Sequence, residues 1–192
     1  MACSPRQGGN SDLAAALMAR GIVSAGTAAR VVHLRDHAVE PCRGCQACGS
    51  APGFACPLMG GDHAEDLFRL MLAAPMLFFA SPIYFYHVPA LFKGFIDRAQ
   101  RYYEARAGGD PGVAALPGKK AYVLLLGGRT KGERLFEGTL LTMRYFLWPF
   151  RAELAGELCL YGLDAPGDLD ASAAQQARVV EFARAAWEGG GR

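Results

Sequence analysis

Two short runs of this chain are apolar without alternation, residues 76–80 (MLFFA) and residues 120–126 (KAYVLLL). Runs of this kind suit strands covered on both faces, as in a parallel sheet, although period alone leaves a buried helix open. Two further strands are predicted over residues 28–34, through Val31, Val32 and Leu34, and over residues 157–161. Between the strands, apolar residues return at helical spacing over 13–20, 62–73, 89–105, 133–146 and 171–187. Gly21 is expected to end the first helix, and the tail Gly189-Gly190-Gly191-Arg192 is expected to fray. Strands alternating with helices predict an α/β fold whose parallel sheet is wrapped on both faces. No internal repeat and no dividing linker is visible, so a single domain over residues 1–192 is expected.

The pattern also predicts a gap. A glycine-rich loop opens the chain, and such a loop should follow a buried strand, yet only two or three residues precede it. A parallel sheet without its central strand leaves unpaired backbone groups on two neighbours. The expectation is a start truncated upstream of Met1, the alternative being another segment in the gap.

The loops carry the candidate chemistry. Residues 4–12 (SPRQGGNSD) are dense in hydroxyls, glycines and amides and lead straight into the first helix. Gly8 and Gly9 let backbone N–H groups converge, Asn10 or Ser11 can cap, and a phosphate group fits such a helix N-terminus. The loop is neither a Walker loop nor GxGxxG, and an ordinary capped turn is the competing reading. After the strand at 76–80, Ser81-Pro82 halts the ladder and Ile83-Tyr84-Phe85-Tyr86 follow. An aromatic loop at the carboxyl end of a parallel strand is where open α/β sheets bind ligands, and a flat ring system would fit. A hydrophobic interface loop is the alternative. His87 could donate a proton there or simply pack at a helix start.

Composition narrows the classes. The chain is 52% hydrophobic, which excludes compositional disorder, and its net charge of +2 gives no footprint for nucleic acid. No apolar run reaches the roughly 18–20 residues of a membrane span, and no signal peptide is evident, so a cytoplasmic protein is expected. Of the six cysteines, four form Cys42-x2-Cys45-x2-Cys48-x7-Cys56 within a segment at about 41–61. Clustered thiols in such a protein indicate metal or redox chemistry. This spacing suits an iron–sulfur cluster, with zinc or metal-free thiols as alternatives. Cys3 and Cys159 have no partner by spacing and are expected to pack as small hydrophobes.

Taken together, Ser4-Pro5-Arg6 with Gly9-Asn10-Ser11, the cysteine cluster, and Ser81-Pro82-Ile83-Tyr84-Phe85 with Pro89, Lys93 and Phe95-Ile96-Asp97-Arg98 resemble the flavodoxin-like NAD(P)H-dependent FMN reductase family. Within it they resemble the iron–sulfur flavoprotein branch. The resemblance implies a three-layer fold with a parallel sheet of order 2-1-3-4-5, its first strand truncated here. It implies FMN, with Ser4, Arg6, Gly9, Asn10 and Ser11 about the phosphate. Ser81, Pro82, Ile83, Tyr84 and Phe85 would lie along the ring, and Gly128 in the third flavin loop. It further implies a [4Fe-4S] cluster on Cys42, Cys45, Cys48 and Cys56, and NAD(P)H as a donor. The expected activity is an FMN-dependent oxidoreductase passing electrons from NAD(P)H, or from a reduced carrier such as ferredoxin, to a quinone, an aromatic or a flavin. No protein nucleophile is expected, and a homodimer or homotetramer is implied. The alternatives are an electron-transfer flavoprotein relaying between protein partners and a scaffold without a cofactor.

Overall fold

A computed structural model describes residues 1–190 of the chain. Helix α1 spans Asn10–Ser24, and one-turn 3-10 segments follow at Leu34–Asp36, Ala47–Gly49 and Pro52–Phe54. Then come α2 (Ala64–Ala73), β1 (Met76–Pro82), α3 (Ala90–Arg98), α4 (Gln100–Ala107) and the short α5 (Pro111–Ala114). The chain closes with β2 (Lys119–Leu126), α6 (Glu137–Leu147), β3 (Ala152–Leu160) and α7 (Ala173–Gly190).

The three strands form one parallel sheet in the order β1-β2-β3. Met76 pairs with Lys120 and Pro82 with Leu126, so both non-alternating runs lie side by side in register. Their continuous apolarity follows from burial on both faces. Phe79, Val123 and Leu125 point to a core under α2, α3, α4 and α6. Ala80, Leu124 and Leu126 point to a second core under α1 and α7. The first core is aromatic: Phe68 stacks on Phe95 at 4.5 Å between ring centroids, and Phe146 meets Phe79, Phe92 and Phe95 edge-on. Such pairs add to area burial and fix the helices against the sheet.

Beyond β1 the expected order survives in shortened form. Ala2 bridges in parallel to both Ala80 and His33. The Ala2 N–H donates to the Val32 carbonyl at 2.8 Å and Cys3 N–H to Ala80 at 2.8 Å, while Leu34 N–H donates back to Ala2 at 2.9 Å. Residues 1–3 therefore hold the central position and residues 32–34 the outer one, which reproduces 2-1-3-4-5 with two positions reduced to a bridge each. The strand expected over 28–34 is reduced to the bridge at His33, with the Val32 carbonyl and the Leu34 N–H both bonded to Ala2. In its place a slot of about 390 Å3 opens between α1, α2 and the start of β1, lined by Met18, Ile22, Leu67, Met71 and Phe79 among others. The Met1 ammonium donates to the Phe78 carbonyl at 2.6 Å at the head of this slot.

Several boundaries move for physical reasons. Helix α1 runs through Gly21 to Ser24, because Gly21 sits where α1 meets α7 and an added Cβ would strike the Val180 carbonyl oxygen. The helix expected over 89–105 divides at Ala99 into α3 and α4. Strand β3 begins at Ala152, five residues before the expected 157, because an edge strand alternates (AELAGELCL) and its first half lacks a solid apolar run. Helix α6 starts at Glu137 rather than 133, after a turn. Gly189 and Gly190 continue α7, and Gly191 and Arg192 of the expected fraying tail lie outside the described residues.

Candidate flavin and cysteine site

The opening loop leaves the central stub at the carboxyl end of the sheet. Ser4 is buried, and its Oγ accepts the Arg6 N–H at 3.1 Å, which turns the chain. Gly8 takes φ +66°, a conformation that favours glycine, and donates its N–H to Asp12 Oδ2 at 2.8 Å. The chain then enters α1 with Gly9 at the N-cap, and no side chain caps the helix. The Asn10 side chain does not cap the helix, although the residue lines the cleft described below. Its Nδ2 donates to the Ala165 carbonyl at 2.9 Å and its Oδ1 accepts the Leu169 N–H at 3.1 Å, tying the loop to the segment after β3. Ser11 is buried beside the open helix terminus. The Arg6 guanidinium has no carboxylate partner among the described residues. A helix start without a cap and a cation without a counter-charge, side by side, form an anion-receptive surface.

The second loop leaves β1 with Ile83 N–H donating to the Leu126 carbonyl at 2.9 Å. Tyr84 and His87 then exchange backbone hydrogen bonds of 2.8 and 3.1 Å, closing a two-residue turn. Phe85 (φ +50°) and Tyr86 (φ +65°) occupy its left-handed positions, which normally hold Asn-Gly. Phe85 is 101% exposed at the tip. The turn is braced by His87, whose Nε2 lies 2.9 Å from Thr142 Oγ1 on α6, and by Arg129 at 5.8 Å over the Tyr86 ring. Burial lowers the His87 pKa and the Lys93 cation lowers it further, against a smaller opposite effect of Asp97.

The third loop follows β2. At Gly128 a Cβ would come within 2.7 Å of Asp164 Oδ1, so glycine lets the Asp164 side chain lie close against the third loop. These loops enclose a cleft of about 100 Å3 lined by Ser4, Arg6, Gly9, Asn10, Ser11, Pro82, Ile83, Tyr84 and Gly128, together with Leu126, Leu163 and Asp164. Ser81 and Phe85 do not line it: the Ser81 hydroxyl donates to the Pro82 carbonyl at 3.0 Å, and Phe85 points to solvent. Leu163 and Asp164 carry no motif of their own, and only the fold brings the segment after β3 to the cleft. With its end fixed at Leu160, the segment after β3 belongs at the same sheet edge as the other loops.

The cysteine segment is a loop drawn together at its base. Arg98 of α3, 2% exposed, donates to both the Glu40 carbonyl and the Asp62 carboxylate, while Asp62 also accepts the Glu40 N–H at 2.7 Å. Burial raises the Asp62 pKa, but the Arg98 guanidinium and the N–H groups of Glu40 and Ala64 outweigh it and hold the carboxyl below its ordinary value. Between these ends the segment rests on α4. Arg101 Nε donates to the Phe54 carbonyl at 3.2 Å and its Nη1 to Glu65 at 3.2 Å. Gly44, Gln46, Gly53 and Phe54 adopt left-handed backbone that curls the loop. Cys48 is buried, Cys42 and Cys56 are half-buried and Cys45 is exposed. Burial raises the Cys48 thiol pKa, and the nearby Glu104 carboxylate, Cys56 and Cys42 raise it further. Among the described residues no three His, Cys, Asp or Glu side chains converge on a point that would hold a single ion. Cys3 and Cys159 pack in the core, and burial pushes their pKa values to about 12 and about 11.

The sheet order and the three loops at its carboxyl edge define a flavodoxin-like α/β protein with a cleft where such folds bind their ligands. The sequence profile of the NADPH-dependent FMN reductase family matches residues 1–148, and the chain belongs to that family. An iron-sulfur flavoprotein of Methanocaldococcus jannaschii is 30% identical over 97 residues, 50% of this chain and 48% of the relative. The match thus spans about half of that relative. Two solved structures share the fold. The NAD(P)H:quinone oxidoreductase from Methanothermobacter marburgensis has a TM-score of 0.62 at 20% identity, over 95% of this chain and 92% of its own. The Trp repressor binding protein from Bacillus subtilis has a TM-score of 0.59 at 19% identity, with the same coverage.

Proposed function

We propose that this chain is an FMN-dependent oxidoreductase that takes electrons from NAD(P)H, or from a reduced protein carrier, and delivers them to a small acceptor such as a quinone or an aromatic. The carrying observation is the uncapped start of α1 beside the unpaired Arg6, opening into the same cleft as Pro82, Ile83 and Tyr84. FMN, when bound, supplies the hydride and single-electron chemistry. The chain's own residues position it. Arg6, the hydroxyls of Ser4 and Ser11 and the free N–H groups at Gly9 and Ser11 would receive the phosphate, while Asn10 fixes the loop from behind. Pro82, Ile83 and Tyr84 would lie along the ring, and Gly128 leaves room for its approach from the third loop.

Cys42, Cys45, Cys48 and Cys56 would hold a [4Fe-4S] cluster. Their spacing, the curled backbone between them and the name of the archaeal relative support this reading. The exposed aromatic turn beside the cleft suits cover by a second copy in a homodimer or homotetramer.

The test is the visible spectrum of anaerobically purified protein, with FMN, iron and sulfide assayed on the same sample. Flavin bands with a broad shoulder near ~400 nm, and about four irons and four sulfides per chain, are expected. Addition of NADPH should bleach the flavin bands, and a quinone should restore them. Flavin without iron removes the cluster from the proposal, and absence of flavin after reconstitution removes the function itself.

A further inference from the structure

Beneath the phosphate loop lies a side-chain network that the cleft itself does not use. Arg35 stands in the 3-10 segment Leu34–Asp36, directly after the residues that pair with Ala2. Its side chain is largely buried, at 15% exposure. Nη1 donates to Asp12 Oδ1 at 2.8 Å and reaches the Arg6 carbonyl at 3.5 Å, while Nη2 meets His33 Nδ1 at 3.2 Å. The other Asp12 oxygen holds the Gly8 N–H. Two points of the loop, the carbonyl of residue 6 and the N–H of residue 8, are thus drawn inward onto one ion pair.

This pair has a second consequence. Asp12 lies in the first turn of α1, where its negative charge would oppose a phosphate at the helix start. Arg35, which does not line the cleft, neutralises that charge, with His33 Nδ1 3.4 Å from the same Asp12 oxygen. Its guanidinium therefore gives the loop its shape and leaves the positive charge of Arg6 and the helix terminus uncancelled.

We infer that Arg35, acting through Asp12, is the positioning residue that keeps the loop at residues 4–9 receptive to a phosphate dianion. The inference rests on the FMN reading above and extends it to a residue that does not touch the cleft. Riboflavin, which lacks the phosphate, separates this role from general support of the fold.

The experiment measures affinity for FMN and for riboflavin by quenching of flavin fluorescence, on flavin-stripped full-length protein at fixed ionic strength. Arg35→Met should weaken FMN binding by roughly 10- to 100-fold, the scale of lost charge-assisted hydrogen bonds, and leave riboflavin affinity unchanged. Arg35→Lys should recover part of the loss. The double variant Asp12→Asn/Arg35→Met should bind FMN more tightly than Arg35→Met alone, because the uncompensated carboxylate is gone. Unchanged FMN affinity in Arg35→Met, or equal loss of FMN and riboflavin, overturns the inference. Where Arg35→Met does not fold, Arg35→Lys decides: FMN weakened with riboflavin unchanged supports the role, and any other result overturns it. A wild-type protein that binds neither flavin overturns the FMN reading and this inference together, an outcome distinct from wild-type binding with indifferent variants.

Discussion

Lys119 shows how one side chain can close the C-terminal end of a helix. It sits at the first position of β2, 8% exposed, and its Nζ donates to the carbonyls of Met71, Leu72 and Ala74 at 3.0, 2.7 and 2.7 Å. All three ammonium protons are matched to carbonyls at the C-terminal end of α2, where the helix dipole also favours a cation. Lys119→Met keeps the buried stem and removes the charge, so it should destabilise the protein by about 2–3 kcal/mol in urea unfolding at neutral pH. An unchanged midpoint would show that water replaces the ammonium. Gly21 makes the opposite case, a residue needed for what it lacks. Gly21→Ala should separate α1 from α7 and lower the thermal midpoint, whereas the same change at the open Gly118 position has no close neighbour to strike. Neither role was legible in the sequence. Lys119 reads as a surface cation before a strand and Gly21 as a helix stop, because both depend on partners far along the chain.

Among elements, the cysteine segment depends most on a single contact. The Asp62 and Arg98 side chains are 4% and 1% exposed, so removing either charge strands the other in a dry setting. Asp62→Asn should cost roughly 3–5 kcal/mol, read by chemical unfolding, and should raise the accessibility of Cys48 to a thiol reagent. A variant whose Cys48 stays protected would mean that the contacts with α4 suffice to seat the loop. The same pair sets a pH dependence. The Asp62 carboxyl titrates lower in the folded protein than in the unfolded chain. Its contribution is therefore complete above the unfolded value near ~3.9 and disappears as pH falls through the lower folded value. Acid unfolding should accordingly be delayed to below about pH 4 by this pair and should begin at higher pH in Asp62→Asn. The spacing of the four cysteines was visible in the sequence, but the clasp at the loop's base was not. Asp97 and Arg98 are adjacent in α3, yet Lys93 takes Asp97 at 2.6 Å while Arg98 turns inward to Asp62.

At the scale of the whole molecule, what could be read from the sequence was what burial on both faces writes into it. The two non-alternating runs became the paired strands β1 and β2, and the glycine-rich loop and the aromatic turn reached one edge of the sheet as expected. The late placement of β3 and the supposed strand at residues 28–31 share a cause. Edge segments carry weak patterns, and their pairing depends on neighbours that a local pattern does not contain. Hydrogen exchange should follow the same gradient. Amides of Val123, Leu124 and Leu125 should be the slowest to exchange, and those of residues 27–31 beside the slot among the fastest. Fast exchange in β2 would contradict the sheet as described.

The amino group of Met1 is bonded inside that sheet, and burial lowers its pKa. Any residue joined ahead of Met1 would turn that ammonium into an amide N–H, which can still donate to the Phe78 carbonyl but carries no charge into the apolar slot beside it.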